Sequence, residues 1–170
     1  METQHPSQET SQTAFCPFRF RAAKTAKIQI VLVLYIALVF VQSLFFKFSG
    51  APETQFIFAT LDAWAAGLGF PGLFAPGGIF AAKVIASAEL VAALLLLISL
   101  PTRRVILRVA GAALALGIIS GAIFFHLFTP LGINVADDGG TLFVMATGVW
   151  LSAAALLLHD RAFIFKIFRH

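Results

Sequence analysis

Charge is the scarcest property of this sequence. Asp, Glu, Lys and Arg make up 12% of its 170 residues, about half the share in a soluble globular domain, and the mean hydropathy is +0.93. A chain this apolar cannot cover itself with water-compatible side chains, which excludes most soluble folds. Cysteine is nearly absent too. Cys16 stands alone, so neither an intrachain disulfide nor a C-x-x-C redox pair can form. A phosphate-binding glycine loop, a haem motif and a nucleophile elbow are all missing. So are the roughly 10-residue alternating segments of a membrane barrel.

The sequence holds instead four long apolar runs. The first is residues 28–46, between Lys27 and Lys47. The second runs from Ile79 to Leu100, carries Lys83 and Glu89, and is expected to stop at Pro101. The third runs from Val105 to Phe128 with Arg108 near its start and His126 near its end, and the fourth, Gly139 to Leu158, has no charge. Each is close to the roughly 20 residues that cross a bilayer as a helix. The expectation is an all-α, polytopic membrane protein, an antiparallel four-transmembrane-helix bundle over 28–158. Residues 1–27 form a basic, mostly disordered tail, and residues 159–170 a basic tail lying on the membrane interface.

Basic residues set the expected orientation. Arg19, Arg21, Lys24 and Lys27, then Arg103, Arg104 and Arg108, then Arg161, Lys166 and Arg169 place 10 of the 12 on one side. That side is expected to be cytoplasmic, with both termini on it, in the cell's inner (cytoplasmic) membrane. The net charge of +4 is thereby accounted for, and nucleic acid is not expected as a partner. The lipid bilayer is.

The first outer loop, 49–78, has a helical middle from Pro52 to about Leu68. Proline suits a first helical turn and Glu53 complements the dipole there. Phe56, Ala59, Ala63 and Ala66 make one stripe with Trp64 beside it, as in a short helix on the membrane surface. This helix reads either as a lid over a cleft or as a plain plug between helix ends. Small residues mark the packing faces: Ala82, Ala86, Glu89 and Ala93 on the second span, and Gly148, Ser152 and Ala155 on the fourth. The third span carries two such stripes, Ala113-Gly117-Gly121 and Ala112-Ala115-Ala122-His126, and is expected to pack on both sides.

The polar groups inside the spans are the candidate site. Glu89, counted from Gly78, lies about 16 Å deep, where an acid must be paired or functional. Gln42, Ser43, Ser120 and Thr147 reach similar depth. Lys47, Lys83, His126, Asp137 and Asp138 lie nearer the outer end, so the set reads as a funnel with Glu89 at its floor. Lys47 or Lys83 is the expected partner of Glu89. Plainer readings stand beside this one. The lysines can snorkel to the headgroups, Asp138 can cap the fourth span, and His126 can be a silent interfacial residue. His126 with Asp137 and Asp138 is too weak a set to assign a metal.

Several residues recur in a known arrangement. Phe45-Phe46-Lys47-Phe48 ends the first span, Ala88-Glu89-Leu90 opens a leucine run, and Leu100-Pro101-Thr102-Arg103 closes it. Phe124-Phe125-His126-Leu127-Phe128-Thr129-Pro130-Leu131-Gly132 and Asp138-Gly139-Gly140 follow. Over residues 28–158 this resembles the DoxX-like family of small four-helix bacterial and archaeal membrane proteins. The resemblance implies that Lys47, Glu89, His126 and Asp138 are the positions that matter. It also implies an accessory role in a membrane redox system, with a redox partner protein and with quinone as the candidate cofactor. The chain departs from the family in having Gln42-Ser43 where a glycine often precedes the lysine, and in lacking the cysteine pair of some redox relatives. Two other functions remain open: a small proton-coupled transporter titrating Glu89, and a non-catalytic scaffold. A homo-oligomer is compatible with each.

Overall fold

A computed structural model of the chain describes residues 17–167, with side chains described for 25–166. Residues 1–16 of the tail expected to be disordered, Cys16 among them, and the tail end 168–170 lie outside the described residues. Six helices follow in order: α1 (Pro17–Ser49), α2 (Pro52–Gly67), α3 (Ala82–Thr102), α4 (Val105–Phe128), α5 (Thr141–His159) and α6 (Arg161–Ile167). No strand occurs among the described residues. Four segments are long and apolar enough to cross a membrane: Thr25–Ser49, Ala82–Thr102, Val105–Phe128 and Thr141–His159. The chain is a multi-pass membrane protein built as a four-helix bundle.

The helices form a square in which α1 packs on α3 and α5, and α4 packs on the same two. Chain direction makes every neighbouring pair antiparallel. One end of the square carries α2 and the α4–α5 connection. The other, basic end carries the α3–α4 turn and α6. The core between the four helices is Val33, Ile36 and Phe40 of α1, Ala92 and Leu96 of α3, Ala112 and Ala115 of α4, and Val149 and Ala153 of α5. Small residues on α3, α4 and α5 let the backbones close around the larger side chains of α1. Packing rather than water exclusion holds helices together in lipid.

Two glycines set the closest approaches between the spans. A Cβ on Gly148 would lie 2.3 Å from the Tyr35 hydroxyl, so this glycine is the seat that lets α1 lie on α5. A Cβ on Gly111 would lie 2.9 Å from Leu96 Cγ and 3.1 Å from the Ala92 carbonyl, which brings α4 onto α3. The glycine stripe expected on the third span does not do this. A Cβ on Gly117 or Gly121 meets nothing, and Ala113 and Gly117 are exposed. α4 meets both neighbours through one broad face, Gly111, Ala112, Ala115, Ile119 and His126. Its other small-residue stripe points outward.

The helix ends also depart from expectation. α1 starts at Pro17, inside the stretch expected to be a tail. α3 runs on through Pro101 to Thr102, and Arg103 ends it in the left-handed region at φ 52°. Pro101 has no N–H to give the Leu97 carbonyl and its ring crowds that carbonyl, so α3 carries it only in its last turn and ends one residue later. α2 matches its expected limits; its Phe56, Ala59, Ala63 and Ala66 stripe is exposed, and the helix packs on the protein through Thr54, Leu61 and Ala65.

Leu61 and Ala65 build a second small core with Phe74, Leu131 and Val135. Phe125 at the end of α4 touches Phe74 edge to face at 5.2 Å and Trp64 at 6.2 Å. Asp62 accepts a hydrogen bond from the Phe74 amide at 2.9 Å, fixing the 68–81 turn on α2. The two connections at this end are therefore one packed plug.

Candidate functional site

Glu89 is 4% exposed and lies inward with Ala86 and Ala93, as the small-residue stripe implied. α3 begins at Ala82, later than the apolar run suggested. Glu89 is therefore seven residues, about 10 Å, from the helix start and not at the midplane. Lys47 sits two residues before the end of the antiparallel α1, within reach of that depth. Its Nζ donates to both carboxylate oxygens, at 2.8 and 2.9 Å, and also to Ser43 Oγ one turn earlier on α1. An ammonium has three protons, and here all three are used. The pair is thus closed on itself, tying α1 to α3 inside the bundle.

Other members of the expected funnel do not join it. Lys83 and Gln42 are exposed, so Lys47 and not Lys83 is the partner of Glu89. Lys83 falls one residue past Ala82, which turns it off the buried stripe. Gln42 is one residue before Ser43 and so turns about 100° away from the interior. Thr147 bonds back to the Phe143 carbonyl within α5, and the exposed Trp150 donates to Ser120 Oγ between α5 and α4. Among the described residues no buried side-chain N or O lacks a partner. A closed ion pair therefore replaces the funnel.

His126 and Asp138 organise the α4–α5 connection. His126, 7% exposed, donates from Nδ1 to the Gly132 carbonyl at 2.7 Å and sets its ring edge on Phe143. The carboxylate of Asp138 accepts from three backbone amides: Val135, Gly140 and Leu142 at 3.0, 2.9 and 2.8 Å. Ala136, Asp137, Gly139 and Gly140 around it all have positive φ, a conformation that side-chain acceptance of this kind stabilises. Burial would raise the Asp138 pKa, but the three amide hydrogen bonds, with help from His126, hold it below its ordinary value. The capping reading of Asp138 is therefore the one its geometry supports. No hydrogen bond or ion pair links His126 or Asp138 to Lys47–Glu89 among the described residues. Nor do three His, Cys, Asp or Glu side chains gather there as a metal site.

A second ion pair, not anticipated from the sequence, lies at the basic end. Arg108 grips Asp160 with two bonds, Nε to Oδ2 at 2.7 Å and a terminal nitrogen to Oδ1 at 2.8 Å. Asp160 is 7% exposed and follows α5 directly. Burial alone would raise its pKa, yet the Arg108 and His159 hydrogen bonds and charges leave it lowered. His159 Nδ1 is 3.2 Å from Asp160 Oδ1 and 2.9 Å from Gln29 Nε2 on α1. Arg108, Asp160, His159 and Gln29 so join α4, α5 and α1 at this end. The sequence signal was an arginine four residues into a span and the acid just after the next.

Comparison with family models, curated proteins and solved structures finds no match for the chain.

Proposed function

We propose that this chain is a DoxX-like accessory subunit of a quinone-linked membrane redox system, contributing a rigid four-helix body rather than a catalytic group. The closed Lys47–Glu89 pair carries this reading. Lys47 has no proton left to offer a substrate, and both Glu89 oxygens are engaged. The other two positions of the resemblance, His126 and Asp138, hold a loop. Quinone itself does not fit these residues, because a carbonyl docking here would need a donor and the local donors are spent. The redox link rests on the resemblance at Lys47, Glu89, His126 and Asp138, and a redox partner protein would carry the cofactor.

The reading places the chain in the bacterial inner membrane with both termini cytoplasmic, following the basic end. In a Cys16→Ser background, Thr60→Cys and Asp137→Cys are then expected to react with an impermeant thiol reagent added to intact cells. Arg104→Cys is expected not to react, and its labelling would reverse the orientation. The role is tested by purifying the tagged chain in mild detergent with its associated proteins. Recovery with a flavin-, haem- or iron–sulfur-bearing subunit supports the reading. A chain recovered alone that dissipates a proton gradient in vesicles, and loses this with Glu89→Gln, overturns it in favour of transport.

A further inference from the structure

We infer that the outward face of α1 around Gln42 is a self-association surface, on which a second copy of this chain docks. Gln42 is exposed and seven residues from the end of α1, about 10 Å along the helix. That is the depth of Glu89, inside the hydrocarbon. No group among the described residues bonds its amide. Hydrocarbon offers no water to an amide, and a side chain of this length cannot climb back to the headgroups as lysine does. The amide therefore needs a partner from outside the bundle.

The chemistry of the site selects a copy of itself. In a dimer with its two-fold axis along the membrane normal, residues on the axis meet their own counterparts. An amide carries both donors and an acceptor, so Gln42 is complementary to Gln42 of the second copy. Leu38 and Phe45, one turn to either side, are 67% and 74% exposed and among the barest apolar residues of α1. Beside them two shallow apolar grooves run along the helix and share Val41, an apolar surface against which the second copy's side chains would lie. Transmembrane helices associate in this way, by packing with interhelical bonds from Gln, Asn, Ser or Thr.

The test uses the full chain, labelled in two colours and reconstituted in phosphatidylcholine vesicles at a series of protein-to-lipid ratios. Energy transfer between copies is expected, with Gln42→Leu weakening association about three- to tenfold and Gln42→Asn recovering part of it. In a Cys16→Ser background, Gln42→Cys is expected to give an oxidised dimer and Val144→Cys, also exposed but on α5, none. A wild-type chain that stays monomeric at every ratio overturns the inference, as does a dimer insensitive to Gln42→Leu. So does a monomer that binds a different membrane protein in a Gln42-dependent manner, since the occupant is then not a second copy.

Discussion

Lys47→Met removes the ammonium from a carboxylate whose side chain is 5% exposed. The orphaned Glu89 is left as a buried acid with no partner, and removing one member of a buried pair typically costs roughly 3–5 kcal/mol. The expected loss is therefore about 3–5 kcal/mol. Glu89→Gln is milder. Its amide oxygen still accepts from Lys47, and Lys47, 15% exposed and near the helix end, can turn toward the headgroups. About 1–2 kcal/mol is expected there. The double variant carries no buried charge and is expected to lose about 0–2 kcal/mol, well short of the sum of the single losses. Equilibrium unfolding in mixed micelles, each variant read against wild type, measures all of these. Losses that add to within about 0.5 kcal/mol, or a Lys47→Met loss below about 1 kcal/mol, would refute the reasoning.

Two other perturbations separate structural from idle positions. Gly148→Ala and Gly111→Ala are each expected to cost about 1–3 kcal/mol through overpacking, whereas Gly117→Ala stays within about 0.5 kcal/mol of wild type; thermal unfolding in detergent ranks them, and a reversed order would show that α4 turns its other face inward. At the basic end, the lowered Asp160 pKa adds stability that is complete above its ordinary 3.8 and lost as pH falls through the lower, folded-state value. Asp160→Asn is expected to cost about 3–5 kcal/mol at pH 7 and to flatten the acid limb of the stability curve, so an unchanged acid limb would contradict the pair.

The spans and α2 were legible because long apolar runs and a proline–acid helix start are local signals. Glu89 was legible for the same reason, as a lone acid on a stripe of small residues. Which lysine pairs with it was not, since Lys47 and Lys83 lie equally close in depth. The choice depends on rotation: Lys83 is one residue off the buried stripe of α3, whereas Lys47 shares a side of α1 with Ser43. Of the two stripes on α4, Ala112-Ala115-Ala122-His126 faces the bundle, whereas Ala113-Gly117-Gly121 misled, because a small residue permits close approach without requiring it. Only a facing partner, Leu96 for Gly111 or Tyr35 for Gly148, turns permission into contact. Arg108 read as one more basic residue of the inner side, and Asp160 as part of a tail. Their pairing spans 52 residues and depends on how α4 and α5 align.

These pairings give the bundle a consistent logic. Each of its ends is fastened by one buried acid–base pair, Lys47–Glu89 across α1 and α3 at one end and Arg108–Asp160 across α4 and α5 at the other. The two clasps lie on opposite sides of the square and share no helix, so between them all four spans are held. In lipid, where apolar contact inside the bundle is scarcely better than contact with acyl chains, such clasps fix register and rotation that Leu-rich faces leave loose. The same logic explains why, among the described residues, every buried side-chain N or O has a partner while the exposed amide of Gln42, at the depth of Glu89, has none. An amide left facing hydrocarbon beside such a bundle is placed where another molecule completes it.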